Sequence, residues 1–246
     1  MPTKSKFINN FRIVLCKTSH PGNIGSVARA MKTMEFSSLY LVNPKDFPSA
    51  HANALAAGAE DILKKAIVVR SLEEALKNIN YVIGFTARKR ELTQKHMNVR
   101  EASEELISVS KKNKIALVFG NETNGLSNSE IEHCQSLGFI DANSEYSSLN
   151  LSQAVQIVCH EIRMMSTLPS KNHILKRSNT DYASHEVQNG FYIHLEQMLN
   201  QLGFLKKIQA ERLMRRLKLL FNRIKMEKDE VNILRGILSE IQKKIK

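Results

Sequence analysis

Three short segments rich in small polar residues are the parts of this chain best suited to bind a ligand. They are residues 23–29 (NIGSVAR), residues 120–127 (GNETNGLS) and residues 145–152 (EYSSLNLS). Each lies where an extended pattern gives way to a helical one, and glycine in such a turn lets the backbone approach a ligand closely. Each segment alone is ordinary turn chemistry, but the three together predict a pocket.

The glycine pattern excludes two common nucleotide sites. Residues 20–25 (HPGNIG) do not form GxGxxG, and no Gly-Lys-Ser/Thr follows them, so neither a dinucleotide fold nor a P-loop is indicated. The unusual loops instead follow later predicted strands, at residues 84–88, 120–122 and 146–150. Ligands of open α/β sheets bind beyond the carboxyl ends of strands, which predicts a pocket there without identifying its ligand.

Short apolar runs rich in β-branched and aromatic residues alternate with helical patterns over residues 11–165. Runs without alternating polarity are typical of strands buried on both faces of a sheet. Repeated strand–helix units predict an α/β domain with a mostly parallel sheet. The predicted strands are Arg12–Cys16, Leu39–Val42, Ala66–Val69, Tyr81–Phe85, Ile115–Phe119 and Phe139–Ala142.

Helical patterns mark the elements around these strands. Apolar residues have helical spacing over residues 24–34 and 151–165, and Ser71 with Glu74 predicts a capping box. Polar residues and a proline break the periodicity over 168–184, and three amphipathic helical patterns follow, the first beginning at Ser184 and stopping at Gly203. We therefore predict a domain over 1–168, a linker over 169–184 and a small basic helical domain over 185–246.

Charge is concentrated in the C-terminal part. Of a formal net charge of +12, residues 171–246 carry 16 Lys and Arg against 8 Asp and Glu, whereas residues 1–170 carry 20 against 16. Such a segment suggests a polyanionic partner. Arg212, Arg216 and Arg223 project within roughly 40° of one another on the second helix, which is either a solvated flank or a phosphate-contacting face.

Cysteine content and hydropathy indicate the cellular compartment. Three widely spaced cysteines, without CxxC or a Cys/His cluster, indicate neither a disulfide framework nor a metal site; Cys16 and Cys159 fall in apolar patterns and are predicted core residues. The first ten residues lack the apolar stretch of a signal peptide, and no run approaches the roughly 18 apolar residues of a membrane span. A reducing cytoplasm is the expected compartment.

In this order and spacing the three polar segments resemble the motif set of SPOUT RNA methyltransferases, and the first and third are closest to the TrmJ-type tRNA ribose methyltransferases. Residues 190–192, 213–217 and 232–236 also resemble the helical tail of that group. The resemblance implies a C-terminal trefoil knot in the α/β domain, a homodimer with the active site at its interface, and S-adenosylmethionine (SAM) as cofactor. It implies that no metal is required.

The resemblance also assigns residues. The family's knot loops, and hence the implied SAM contacts, fall on Phe85, Thr86, Ala87, Gly120, Ile140, Ser147, Ser148 and Leu149. Side chains at three further motif positions, Asn121, Glu122 and Asn150, are expected to hold the loops together. The tail arginines Arg212, Arg215, Arg216 and Arg223 are candidate RNA contacts.

Arg29 matches the arginine that the family uses in catalysis. Its helix directs Ile24, Val27 and Ala28 inward and Arg29 away from them, and in the dimers of the family this arginine reaches the partner's SAM pocket. A guanidinium with a pKa above about 12 is a poor base, so we expect it to orient the hydroxyl or a phosphate and stabilise the developing alkoxide. A phosphate, water or Ser148 could accept the proton.

The sequence departs from the family pattern in two places. Glu35 stands where glycine commonly ends the first helix, which predicts a helix longer by a turn, and residues 121–124 (NETN) are nearer the broader SPOUT wording. The predicted function is SAM-dependent 2′-O-methylation of nucleotide 32, cytidine or uridine, in the tRNA anticodon loop. The alternatives are the same reaction on ribosomal RNA or another tRNA position, and a non-catalytic RNA-binding module.

Overall fold

A computed structural model describes residues 7–87, 94–168, 180–206 and 208–245. A short 3-10 helix, Ile8–Asn10, precedes the first strand. The strands of the described residues are β1 (Phe11–Cys16), β2 (Ser38–Val42), β3 (Ile67–Val69), β4 (Tyr81–Phe85), β5 (Lys95–Asn98), β6 (Ile115–Phe119) and β7 (Ser136–Phe139). The helices are α1 (Pro21–Thr33), α2 (Ala50–Ala56), α3 (Glu60–Lys65), α4 (Leu72–Ala75), α5 (Val99–Val109), α6 (Asn128–Ile131), α7 (Leu151–Thr167), α8 (His185–Gln201), α9 (Ala210–Asn222) and α10 (Lys228–Ile245).

The described strands form one seven-stranded sheet in the order β3-β2-β1-β6-β4-β7-β5, and every pairing is parallel. The predicted α/β class is therefore confirmed. Strands β4 and β6 are buried along their whole length, as their unbroken apolar runs require. Two apolar cores, one on each face of the sheet, enclose them. The trefoil knot stays a prediction.

Helix α1 covers one face of the sheet together with α2 and α7. Pro21 lies in its first turn, where a missing N–H costs no hydrogen bond. A Cβ on Gly25 would lie 2.1 Å from the carbonyl oxygen of Ala52, so only glycine lets α1 and α2 approach this closely. Helix α1 is therefore packed closely against α2.

Two strand predictions were wrong. The sixth predicted strand, Phe139–Ala142, shares only Phe139 with the observed β7, which begins earlier at Ser136. Ser136 is buried and its hydroxyl bonds the Tyr81 hydroxyl at 2.8 Å, so a polar residue is satisfied inside the sheet. Strand β5 was not predicted, because at the sheet edge it buries only Met97 of its four residues.

Two predictions about helix ends were also wrong. Glu35 does not lengthen α1, which ends at Thr33; Glu35 itself takes the left-handed conformation, with a φ of 68°, and its carboxylate bonds Arg163 at 2.7 Å. Ser71 caps α4 as predicted, accepting a bond from the Glu74 N–H. The Glu74 carboxylate, however, accepts from the N–H of Arg70 at 3.2 Å, so the predicted reciprocal bond of the capping box is replaced.

Helices α8, α9 and α10 pack around their own apolar core, which includes Phe191, Tyr192 and Leu238. Helix α8 begins at His185 after Ser184 and is followed by Gly203 in the left-handed conformation, as predicted. Most of the predicted linker, residues 169–179, lies outside the described residues. We call residues 180–245 the extension.

The extension docks on the sheet at the amino ends of its central strands. The N–H of His185 donates to the Ile79 carbonyl at 2.7 Å, and the Asn80 amide donates to the Tyr182 carbonyl at 2.7 Å, just before β4 begins. Before β6, the Asn113 amide donates to the Thr180 carbonyl at 2.9 Å. In the part of the chain that the structure describes, no helix is long and apolar enough to cross a membrane.

Candidate active site

A cleft of about 1120 Å³ opens at the opposite edge of the sheet, beyond the carboxyl ends of β6, β4 and β7. All eight residues that the sequence predicted as cofactor contacts line it. They come from the end of β4, the segment after β6, the segment after β7 and the loop before α7. Without the space open to solvent the cleft holds about 360 Å³, which lies within the roughly 300–1,000 Å³ of pockets that bind small molecules and cofactors.

The floor of the cleft is aromatic. The rings of Phe85 and Phe119 stack with their centroids 5.1 Å apart and an interplanar angle of 12°. A Cβ on Gly138 would lie 2.5 Å from the Phe85 ring, so glycine makes room for this stack. Phe119 and Phe139 also line the cleft and were not assigned to it from the sequence, although both stand at the ends of predicted apolar strands.

Polar groups surround this floor. The N–H of Thr86 donates to the Gly138 carbonyl at 3.0 Å, which ties the end of β4 to β7 and leaves Thr86 9% exposed at the cleft. Ser147 and Ser148 present exposed hydroxyl-bearing side chains on the opposite loop. An apolar floor with a few polar groups around it is typical of a site for a small ligand.

Gly120 packs against its own loop. A Cβ at this position would lie 2.0 Å from the Gly125 carbonyl carbon and 2.2 Å from the Leu126 nitrogen. The loop closes because Asn121 and Gly125 form a bridge, and the Asn121 side-chain oxygen accepts from the N–H of Asn124 at 2.7 Å. Glycine is therefore required by the packing of this loop.

A hydrogen-bond chain joins the three polar segments of the sequence. The Glu122 carboxylate accepts from the Asn23 amide at 2.9 Å and from the N–H and hydroxyl of Ser19 at 2.9 and 2.8 Å. The Asn150 amide donates to the Asn23 side-chain oxygen at 2.9 Å, and the Asn150 oxygen accepts from the N–H of Ser152 at the start of α7. Glu122 and Asn150 thus hold the loops together, as expected, and Asn23 connects them.

The ionisation of Glu122 follows from these contacts. Partial burial opposes its charge, but hydrogen bonds from Asn23 and Ser19 outweigh burial and lower the pKa of Glu122 to about 2. The carboxylate is therefore charged at neutral pH and anchors the start of α1 to the loop after β6. This fixes α1 relative to the cleft.

Arg29 lies outside the cleft. It is exposed on α1 and lines a shallow groove with Ser26, Thr33 and Gln153, and Leu149 lines both this groove and the cleft. The predicted catalytic arginine and the predicted cofactor residues are thus neighbours across one loop, but they do not form one cavity within a single chain.

The candidate RNA contacts divide into two kinds. Arg212, Arg216 and Arg223 are exposed on or just after α9, and we call these three the α9 arginine row. Arg215 is half-buried and its guanidinium bonds the Glu132 carboxylate at 2.7 Å, which attaches α9 to the α/β domain. The part of the chain described here contains no group of three or more His, Cys, Asp or Glu residues that could hold a metal ion.

Sequence profiles of two families match the chain. The SpoU rRNA Methylase family matches residues 10–160, which span the sheet, the cleft and most of α7. The C-terminal domain of the tRNA methyltransferase TrmJ matches residues 186–246, which correspond to the helices of the extension.

Individual proteins are similar over nearly the whole chain. A tRNA (cytidine/uridine-2'-O-)-methyltransferase TrmJ from Photorhabdus laumondii is 44% identical over 236 residues, covering 96% of this chain and 98% of its own. The crystal structure of TrmJ from Z. mobilis has a TM-score of 0.83 at 29% identity, covering 94% of this chain and 98% of that one. The methyltransferase AviRb from Streptomyces viridochromogenes, in complex with AdoMet, shares the fold, with a TM-score of 0.50 at 20% identity over 63% of this chain and 60% of that one.

Proposed function

The chain belongs to the SpoU methylase family and ends in a TrmJ-type C-terminal domain, and we propose that it methylates the ribose 2′-hydroxyl of nucleotide 32 in the tRNA anticodon loop, using SAM. The observation that carries the proposal is the gathering of all eight predicted cofactor residues around one cleft. Relatives with 44% identity are named tRNA ribose methyltransferases that act on cytidine and uridine, which supports tRNA as substrate.

The residues of the cleft fit SAM. The stacked rings of Phe85 and Phe119 offer an apolar surface to the adenosine, and Gly120 lets the loop after β6 fold tightly beside it. Thr86 and Ser147 add hydroxyl groups at the rim. When bound, SAM supplies a methyl group on a positively charged sulfur, which is open to attack by an oxygen nucleophile.

The residues of this chain have to align the ribose and manage one proton. As the new O–C bond forms and the C–S bond breaks, the hydroxyl proton must leave. Alignment of the reacting atoms can lower the barrier by several kcal/mol, up to about 7–11 in well-oriented systems. Arg29 orients the hydroxyl or an adjacent phosphate and stabilises the developing alkoxide, while phosphate, water or Ser148 takes the proton.

The position of Arg29 favours a homodimer with shared active sites. Its groove is separate from the cleft of its own chain and adjoins it only at Leu149. We infer that Arg29 serves the cleft of the partner subunit. Mixing an Arg29→Ala protomer with a cleft-defective Gly120→Val protomer then restores part of the activity, because the mixed dimer keeps one complete site. If Arg29 serves its own cleft, the mixture stays inactive.

The basic extension supports tRNA as the partner. Its α9 arginine row is exposed, and contacts to phosphates release counterions, so affinity falls with salt. Replacing the three arginines by glutamine weakens tRNA binding, and the slope of log K against log salt becomes shallower by about 0.7–0.9 for each phosphate that the row neutralises. Lys64→Gln with Lys65→Gln, which removes two exposed charges of α3, is the control for a general loss of surface charge.

The deciding experiment is methyl transfer from labelled SAM to total tRNA that lacks the modification, followed by nucleoside mass spectrometry and mapping. A 2′-O-methylated pyrimidine at nucleotide 32 is the expected product. Methylation at another tRNA position, or of ribosomal RNA only, overturns the assignment of the target. Arg29→Ala is expected to bind SAM almost normally and to methylate very slowly, and turnover like that of the wild type contradicts its catalytic role.

A further inference from the structure

Tyr146 is a solvent-exposed aromatic residue beside the cleft. It is 79% exposed, and every residue from 143 to 150 around it is exposed as well. The next three residues, Ser147, Ser148 and Leu149, all line the cleft. Because the Cα atoms of consecutive residues are about 3.8 Å apart, the Tyr146 ring originates at the rim of the cleft.

The position of Tyr146 is fixed from both sides. The N–H of Tyr146 donates to the Asn143 carbonyl at 3.0 Å, and the N–H of Glu145 donates to the Asn143 side-chain oxygen at 3.0 Å, which together form a tight turn. On the other side, Asn150 is bonded to Asn23 of α1. The ring is therefore presented on an ordered loop.

An exposed ring at this place has a ready physical use. A tyrosine ring combines an apolar face with a polar hydroxyl, and a ring held on a bonded loop beside a ligand cleft is placed to contact a ligand that enters the cleft. Proteins that bind single-stranded nucleic acid stack splayed-out bases on such rings. A ribose whose 2′-hydroxyl enters the cleft carries its base at the rim.

We propose that Tyr146 stacks on the base of the nucleotide whose ribose is methylated, and so positions that ribose over the cleft. This inference rests on the proposed function. Stacking uses the face of a base and does not read its edges, so one ring holds cytidine and uridine alike. The same contact then accounts for an enzyme that accepts both pyrimidines, as the names of the TrmJ relatives state for those proteins.

Substitutions at Tyr146 separate stacking from other roles. Removing one base–aromatic stack costs about 1–3 kcal/mol, so Tyr146→Ala lowers kcat/KM for tRNA about 5- to 150-fold. Tyr146→Phe keeps the ring and restores most of this activity. The SAM dissociation constant stays the same in both variants, because Tyr146 is not among the residues that line the cleft. Since stacking involves no charge, the effect is equal at low and high salt, unlike that of substitutions in the α9 arginine row.

A fluorescence experiment reports the contact directly. The chain contains no tryptophan, so Tyr146→Trp introduces a single tryptophan at the rim, which can be excited selectively over the remaining tyrosines. Binding of unmodified tRNA quenches it, with no such change for Val68→Trp, an exposed position on the edge strand β3. Quenching that is equal at both positions overturns stacking at Tyr146.

The outcomes distinguish this inference from the proposed function. If the wild-type protein does not methylate tRNA, the proposed function fails and the inference falls with it. If the wild type is active and Tyr146→Ala matches its kcat/KM, only the inference is overturned. If Tyr146→Ala loses activity because the dimer dissociates in analytical ultracentrifugation, Tyr146 is a subunit contact and the stacking role is overturned.

Discussion

Replacing Glu122 by glutamine tests whether the link between α1 and the cleft is needed for activity. The carboxylate of Glu122 accepts four hydrogen bonds: from the N–H and hydroxyl of Ser19, from the N–H of His20 at 3.2 Å and from the amide of Asn23. Glutamine keeps one acceptor oxygen and turns an NH2 group towards the donors that bonded the other oxygen. About half of the hydrogen bonds are then broken, and the glutamine NH2 group faces other hydrogen-bond donors.

The expected magnitude follows from this count. A hydrogen bond to a charged group contributes about 1.5–3 kcal/mol to stability, and solvent screening at this half-exposed site reduces that. We therefore expect Glu122→Gln to lower the free energy of unfolding by about 1–2 kcal/mol. Asn23 and Arg29 share α1, so a loosened helix start also displaces the arginine, and kcat/KM falls at least about tenfold because misplacement of a reacting group is costly.

Denaturant unfolding, SAM titration and methyl transfer to tRNA measure these effects. The matched control is Glu145→Gln, an exposed carboxylate beside the same cleft, which leaves all three quantities unchanged. Because the folded-state pKa of Glu122 is about 2 and the ordinary value is 4.5, its contribution is present above pH 4.5 and is lost as pH falls towards 2. The glutamine variant lacks this part of the pH dependence. Wild-type stability together with wild-type turnover in Glu122→Gln would refute the reasoning.

Three further perturbations test other parts of the molecule. Gly120→Ala puts a Cβ within 2.0 Å of backbone atoms, so we expect it to destabilise the fold by about 1–3 kcal/mol and to weaken SAM binding, measured by calorimetry, at least tenfold. The control is Gly236→Ala in α10, where the new Cβ meets nothing within 4 Å and the fold is stabilised by about 0.5–1 kcal/mol. Burial lowers the pKa of His185 from 6.5 to about 4, so the unfolded chain takes up a proton at a higher pH than the folded one. The free energy of unfolding therefore falls by about 3 kcal/mol as pH drops from 6.5 to 4. We expect His185→Gln to flatten this dependence of the unfolding free energy on pH, and an unchanged dependence contradicts the assignment. Glutamine at all three positions of the α9 arginine row reduces methylation of full-length tRNA but spares an isolated anticodon stem–loop, and equal reductions on both substrates contradict a remote contact.

The sheet was predictable because its central strands have a distinct sequence pattern. Strands β4 and β6 are buried along their whole length and read as unbroken apolar runs, and β1 is interrupted only by the partly buried Arg12. Strand β5 has no such pattern, since an edge position leaves most of its residues outside the core. The residues of β7 are explained by contacts with the neighbouring strand β4, because Ser136 bonds the hydroxyl of Tyr81 and Gly138 makes room for Phe85. Such pairings can be recognised only once the strand order is known.

Eight residues that line the cleft were predictable, but the hydrogen bonds that connect its loops were not. The resemblance named residues on four separate segments, and the parallel order of β6, β4 and β7 brings these segments to one edge. The bond from Asn150 to Asn23 joins residues 127 positions apart, and no local pattern predicts a contact of that length. Local backbone bonds close the turn at Glu35, where the N–H of Phe36 donates to the Met31 carbonyl at 2.9 Å, but the partner of the Glu35 carboxylate, Arg163, is distant in the sequence.

The extension, which we propose binds tRNA, is attached far from the cleft in which we propose that methyl transfer takes place. It is bonded to residues just before β4 and β6, whereas the cleft lies beyond the far ends of the same strands, a distance of at least about 13–17 Å at 3.3 Å per residue. The contact between the extension and the α/β domain is charged as well as apolar, because Glu105 of α5 bonds both Lys225 of the extension and Lys95 of β5. We therefore expect the α9 arginine row to contact a part of the substrate remote from the nucleotide in the cleft of the same chain. A substrate held by both must be long, as a folded tRNA is, or must pass from the extension of one subunit to the cleft of the other.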